Sequence, residues 1–192
     1  MLVLVLGLIL FIGIHSVRML ADNWRTQFIA RHGAKRWKGI HSLFAIVGFV
    51  LIVWGFGLAR EHPVLLYAPP VWLAHLNALF TLIAFIFFFA ARVPNNHIKA
   101  KFGHPQTLAV KIWSFGHLLA IGMLHDLVLF LPFLVWSIAL YAVSRRRDRR
   151  EGKVYPPGTV KGDVLVVVIG LVVWALFAFW LHTLLIGVNP MI

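Results

Sequence analysis

The feature that most constrains this chain is a series of apolar runs, separated by short loops rich in lysine and arginine. A helix that spans a bilayer needs roughly 20 mostly apolar residues, because no water is present in the bilayer core to hydrogen-bond an exposed backbone. The 192 residues are 61% hydrophobic and only 12% charged, against about 25% charged residues in a typical soluble domain. The sequence therefore predicts an all-α fold, a polytopic membrane helix bundle in which residues 1–192 form a single domain.

About six transmembrane helices are expected from these runs. The fourth and fifth are short for a membrane span, and they form either two spans or a re-entrant pair around a turn at His125-Asp126. Pro132, near the start of the fifth helix, allows a kink there. The predicted helices are about Leu2–Ala21, Gly39–Leu58, Val71–Ala91, Thr107–Met123, Leu127–Val143 and Val164–Val188.

The distribution of basic residues predicts the orientation in the membrane. Lysines and arginines cluster in the loops after the first, third and fifth helices, whereas the opposite loops contain only Arg60. The positive-inside rule then places these three loops in the cytoplasm and both termini outside. The basic segment 145–161 is interpreted as an anchor at the anionic inner leaflet. The net charge of +12 thus indicates a lipid bilayer, and no nucleic acid, as the partner.

Four of the ten histidines fall inside predicted spans, at positions His15, His75, His117 and His182. An ionisable side chain at membrane depth is a candidate for function, because burying it there is costly. At about 1.5 Å rise per residue, His15 and His117 lie at similar depth in the inner half of the bilayer. Two neutral imidazoles from facing helices are a common way to ligate haem iron, so this pair fits a haem site. A hydrogen-bonded contact between helices is the alternative.

His75 and His182 form a second level, near the outer side. They are lower-ranked candidates for a second metal or haem pair, and the alternatives are a proton relay or interfacial histidines bonded to backbone. The absence of cysteine excludes thiolate chemistry, iron–sulfur clusters and covalently attached haem. No spanning helix contains the closely spaced ligands of a typical zinc site, and no paired carboxylates or nucleotide-binding motif occur.

Two short segments carry a resemblance to a known family. One segment is residues 103–119, which contains Gly-His-Pro-Gln at 103–106 and the pattern Trp-x-x-x-His within 111–119. The other is residues 13–18 in the first helix. Together they resemble the NnrU family of bacterial membrane proteins, which is related to the 15-cis-zeta-carotene isomerases, and the resemblance covers nearly the whole chain. It implies a multi-pass protein of the bacterial inner membrane that binds haem b, with His15 and His117 as the axial ligands between helices one and four.

The resemblance also suggests further cofactor-binding positions. In the isomerases a cysteine three residues before the second ligand is implicated in a ligand switch; here that position is Ser114, a poor iron ligand. Arg18 lies three residues after His15 and either binds a haem propionate or extends to the inner leaflet. His104, at the start of the fourth helix, either hydrogen-bonds a propionate or caps the helix.

Two functions are compatible with this reading, and the sequence assigns no catalytic residue. The first is a haem-dependent isomerase or oxidoreductase for a lipidic or small-molecule substrate, with an apolar channel lined by Phe85, Phe88 and Trp113. The second is a non-catalytic accessory protein that carries an electron to a redox partner or assists assembly of a denitrification reductase. The bacterial family members are linked to nitrite and nitric oxide reduction. A transporter is the least favoured class, because the two halves of the chain do not match.

Overall fold

A computed structural model of the protein describes residues 1–190, and within these residues the regular secondary structure is helical, apart from one isolated antiparallel bridge between Leu65 and Met123. The prediction of an all-α membrane protein is confirmed. A π-helical turn, Phe177–Leu181, joins the last two α-helices. The α-helices of the described part are α1 (Leu2–Leu20), α2 (Asp22–His32), α3 (Ala34–Arg60), α4 (Trp72–Ala90), α5 (His97–Phe102), α6 (Pro105–Ala120), α7 (Leu124–Arg150), α8 (Val160–Leu176) and α9 (His182–Ile186).

Five helical segments within residues 1–190 are long and apolar enough to cross a membrane: α1, α3, α4, α7 and the continuous segment Val160–Ile186. The protein is therefore a multi-pass membrane protein whose environment is the lipid bilayer. The predicted fourth helix is present as α6, but at 16 residues it is shorter than a standard span. Both termini lying outside stays a prediction from the basic loops.

The largest differences from the predicted helices lie around α7. This helix has 27 residues, because it begins before the predicted turn and continues through the arginine run. Arginine is a good helix former, so the run need not end a helix when the chain leaves the membrane. The prediction of a turn at His125-Asp126 is wrong, since both residues lie in the first turn of α7. The break between the two helices comes earlier, at residues 121–123, where Ile121 has extended backbone.

The described chain divides into two compact units. Unit 1 contains residues 1–66 and 123–132, and unit 2 contains residues 67–122 and those from 133 onward. That the whole chain is one domain stays a prediction.

In unit 1, α1 and α3 pack antiparallel through glycines that bring the two backbones into contact. A Cβ added at Gly7 would lie 2.6 Å from the backbone nitrogen of Ile52, and one at Gly48 would lie 2.7 Å from that of Phe11. Small residues are typical of such close helix pairs in membranes, where packing rather than the hydrophobic effect drives association. The register of α1 against α3 is therefore fixed, and it determines which side chains of the two helices meet.

In unit 2, α4 packs against both α6 and α8. Asn77 approaches Gly116 of α6, where a Cβ would be 2.5 Å from its Oδ1 atom. On the other side, the Nε1 atom of Trp174 donates a hydrogen bond of 3.1 Å to the Thr81 hydroxyl.

At one end of unit 2, the loop after α4 is held by Asn96, which is 1% exposed. Its amide nitrogen donates to the carbonyl oxygens of Ala90 and Val93 at 2.9 and 2.7 Å. The neighbouring His97 contacts Asp163, near the start of α8, at 2.6 Å. The loop after α4 and the start of α8 thus lie at the same end of unit 2, in agreement with the prediction that the loops after the third and fifth predicted helices lie on the same side of the membrane.

Candidate functional site

His15, on α1 in unit 1, is half-buried, and the backbone sets the orientation of its ring. The Nδ1 atom lies 2.7 Å from the carbonyl oxygen of Phe11, one turn earlier. A carbonyl oxygen only accepts, so Nδ1 carries the proton, and in the neutral ring Nε2 is the unprotonated nitrogen. Metal-ligating histidines are typically held in this way, with the other ring nitrogen donating to a carbonyl or carboxylate. The local geometry of His15 therefore fits an axial ligand.

His117, on α6 in unit 2, has the same local geometry. Its Nδ1 atom lies 2.8 Å from the carbonyl oxygen of Trp113, again one turn earlier. The equivalent contact at exposed His32 is longer, at 3.3 Å. His117 also lies close enough to His182 to interact with it electrostatically. Each of the two histidines that the sequence predicts as ligands thus has a short hydrogen bond to a backbone carbonyl oxygen one turn earlier in its own helix.

Sequence reasoning missed the partner of His15. The ring of His41, on α3, lies with its centroid 4.8 Å from that of His15, at an interplanar angle of 75°. The Trp37 ring, which is 7% exposed, is 6.1 Å beyond His41. The only signal in the sequence was the glycine pattern of the two helices, since it sets the register that pairs these positions.

Ser114 lies one turn before His117 on the same side of α6. It is fully buried, and its hydroxyl oxygen makes no hydrogen bond within residues 1–190. A buried hydroxyl group therefore lies one turn from the candidate ligand. Arg18, the predicted propionate-binding residue, lies in the last turn of α1 with its side chain exposed. Its role, like that of Ser114, stays a prediction.

His104 occupies the N-cap position of α6, but its side chain makes no capping hydrogen bond. His104 is thus the N-cap residue of α6 through its backbone, while its side chain is engaged elsewhere. Its Nε2 atom lies 2.8 Å from Oδ2 of Asp148, which is 4% exposed, and the Tyr155 hydroxyl donates to the same oxygen at 2.7 Å. Burial, despite the opposing effect of Asp148, lowers the pKa of His104. Burial and the bond to Asp148 raise the pKa of Tyr155 to about 12.

The second predicted pair is not brought together. His75 is exposed, and within residues 1–190 no hydrogen bond or ring contact joins it to His182. The Nδ1 atom of His182 instead donates to the carbonyl oxygen of Val188 at 2.6 Å, and its ring packs 5.8 Å from Phe177 in the π-helical turn. Within residues 1–190, no group of three or more histidine, aspartate or glutamate side chains is arranged to hold a metal ion.

The three aromatic residues predicted to line a channel are packed separately. Phe85 contacts Phe177 at a centroid distance of 5.8 Å, and Trp113 contacts Phe133 at the same distance. The Phe88 ring is 37% exposed. The apolar channel stays a prediction.

A histidine that the sequence places in a loop is buried in unit 1. His125 is 6% exposed, and its Nδ1 atom makes no hydrogen bond within the described chain. Its Nε2 atom lies 3.5 Å from Asp126, and its ring packs edge-on against Phe56. His125 is buried because α7 begins at Leu124, before the turn considered at His125-Asp126, and carries both residues into the packed region.

The structure thus defines the class of protein: it is a multi-pass helical membrane protein with half-buried histidines whose Nδ1 atoms bond to backbone carbonyl oxygens. The comparison with protein families identifies the group within this class. The family model described as NnrU protein matches residues 3–190. The chain belongs to the NnrU family. No curated protein and no solved structure matches the chain.

Proposed function

We propose that this protein is a haem b protein of the bacterial inner membrane, in which His15 and His117 ligate the haem iron. The proposal is supported by the matching backbone hydrogen bonds of the two residues, at 2.7 and 2.8 Å. Each bond fixes the tautomer in which Nε2 is the ligating nitrogen, and a fixed ring orientation reduces the entropy lost on binding. The role that follows is redox or haem-dependent chemistry, linked to nitrite and nitric oxide reduction.

The bound haem would supply an iron centre that exchanges an electron or binds a small molecule. The contribution of the chain is to hold two neutral imidazoles and to exclude water. An aromatic ring packs against each imidazole and shields part of it from water: Phe11 lies 4.3 Å from His15 and Trp113 lies 5.3 Å from His117, centroid to centroid. Burial and hydrogen bonding to the ligands are the means by which a protein adjusts the reduction potential of haem.

Ser114 favours the electron-transfer role over an isomerase role. A ligand switch on reduction requires a side chain that can replace histidine on the iron, and a buried serine hydroxyl is a poor ligand for it. Two permanent histidine ligands are suited to electron transfer, either to a reductase or during its assembly. An isomerase or oxidoreductase acting on a lipidic or small-molecule substrate is the second candidate, and it requires a displaceable ligand.

The proposal is tested by optical spectra of the detergent-purified protein, expressed with ample haem, in the oxidised and the dithionite-reduced state. We expect a Soret band that shifts on reduction in the wild type, and weakened α and β bands in His15→Ala and His117→Ala. His32→Ala is the matched control, because exposed His32 has a similar backbone contact and is not a proposed ligand. Absence of a Soret band in the wild type would refute the proposal. Carbon monoxide distinguishes the two roles: binding to the reduced wild type indicates a displaceable ligand.

A further inference from the structure

A second group of nitrogen donors lies beside His15 in unit 1. His41 contacts the His15 ring, and neither ring nitrogen of His41 makes a hydrogen bond within residues 1–190. Its position is fixed, because the glycine contacts between α1 and α3 determine the register of the two helices. His41 therefore presents an imidazole that is held in place by packing and retains its hydrogen-bonding capacity.

Arg25, on α2, adds a permanent positive charge to this group. Its guanidinium carbon lies 5.8 Å from the centroid of the Trp37 ring, and Trp37 in turn contacts His41. Arg25 is close enough to His41 to interact with it electrostatically. The acidic group paired with Arg25 is Asp22, at 3.5 Å, which is longer than a charge-assisted hydrogen bond of about 2.7–2.9 Å. Most of the five guanidinium donors thus remain for another acceptor.

The chemistry of this group selects an anionic oxygen ligand. A guanidinium binds a carboxylate through two parallel hydrogen bonds, and an imidazole adds a third donor. The aromatic wall of Trp37, with Trp24 and Phe28 packed 6.0 Å from it, lowers the local dielectric and strengthens such bonds. Metal cations are disfavoured by the charge of Arg25.

We propose that His41 and Arg25 form a carboxylate-binding site and that its ligand is a propionate group of the haem ligated by His15. This inference rests on the proposed function. The location supports it, because His41 directly contacts His15, the proposed ligand, so these residues would be within reach of a carboxylate of a haem held by His15. The role that the sequence suggested for exposed Arg18 then belongs to a half-buried arginine on the next helix.

The test compares binding of haem and of haem dimethyl ester, which lacks both carboxylates, to the purified apoprotein in a neutral detergent. The wild type should bind the ester at least about 10-fold more weakly than haem, since hydrogen bonds to a charged group are lost. The variants Arg25→Gln and His41→Gln should each reduce this preference several-fold. Arg25→Lys keeps the charge without the paired geometry and should retain part of it. The preference is a ratio within one protein, so a variant with lower overall haem affinity still reports on the site.

Arg31→Gln and His32→Gln are the matched controls, because both residues are exposed on the same helix α2; they should keep the full preference. Equal binding of haem and ester by the wild type overturns the inference while leaving haem binding intact. The inference is also overturned if the preference for haem over the ester persists in the Arg25 and His41 variants, or if Arg18→Gln abolishes it. If the Arg25→Gln and His41→Gln variants bind phosphatidylglycerol in mixed micelles more weakly but bind haem normally, the ligand of this site is an anionic lipid and the inference is overturned. Failure of the wild type to bind either porphyrin refutes the proposed function itself.

Discussion

The glycine contacts between α1 and α3 predict a specific cost for adding one methyl group at Gly48. The new Cβ would lie 2.7 Å from the backbone nitrogen of Phe11 and 3.0 Å from its Cα. Ordinary van der Waals contact requires about 3.5 Å, so α1 would have to withdraw by roughly 0.8 Å. Overpacking of this kind costs about 1–3 kcal/mol, and alanine recovers about 0.5–1 kcal/mol of helix propensity. Gly48→Ala should therefore destabilise the protein by about 1–2 kcal/mol.

Gly57→Ala is the matched control, since Gly57 lies on the same helix and an added Cβ would meet nothing within 4 Å. This control should stabilise the protein by up to about 1 kcal/mol. Unfolding of both variants in mixed micelles of SDS and dodecylmaltoside, followed by far-ultraviolet circular dichroism, measures the difference. Because the Phe11 carbonyl orients His15, Gly48→Ala should also weaken haem binding. A Gly48→Ala protein as stable as the Gly57→Ala control would refute the packing account of unit 1.

Three further predictions concern the basic end of unit 2. The pKa of His104 is lowered, so the folded state binds a proton at this residue less readily than the unfolded chain does. The free energy of unfolding should therefore be constant with respect to His104 above about pH 6.5 and should fall as the pH drops below that value. Denaturation at several pH values measures this effect, and His104→Gln, which cannot titrate, should lack it. Asp148→Asn should lower the pKa of Tyr155 from about 12, observed as earlier ionisation in the ultraviolet absorbance titration, and an unchanged titration would contradict the hydrogen bond. Asn96→Ala should lose both amide bonds and the helix cap, and should therefore unfold more easily than the wild type by about 2–3 kcal/mol in the same micelle assay; wild-type stability would contradict these bonds.

Most of the helices, and the location of His15 and His117 within two of them, were predictable from the sequence, because hydropathy depends on local composition alone. The contact between His15 and His41 was not, because it depends on the register of two helices, which backbone contacts at glycines determine. Hydropathy also did not predict that α7 extends beyond its apolar part, through the arginine run to Arg150. The single acid within residues 145–150, Asp148, is buried and bonds to His104 and Tyr155. Pairings of this kind join residues far apart in the chain and leave no periodic signal.

The most direct test of the account is the electron paramagnetic resonance spectrum of the oxidised, detergent-purified protein, compared with His15→Ala and His117→Ala. The account predicts a low-spin ferric signal of bis-imidazole type in the wild type, and conversion to a high-spin signal or loss of haem in each variant. His32→Ala should retain the wild-type spectrum. A high-spin wild type, or a low-spin signal that survives the removal of either histidine, would contradict the assignment of His15 and His117 as the axial ligands.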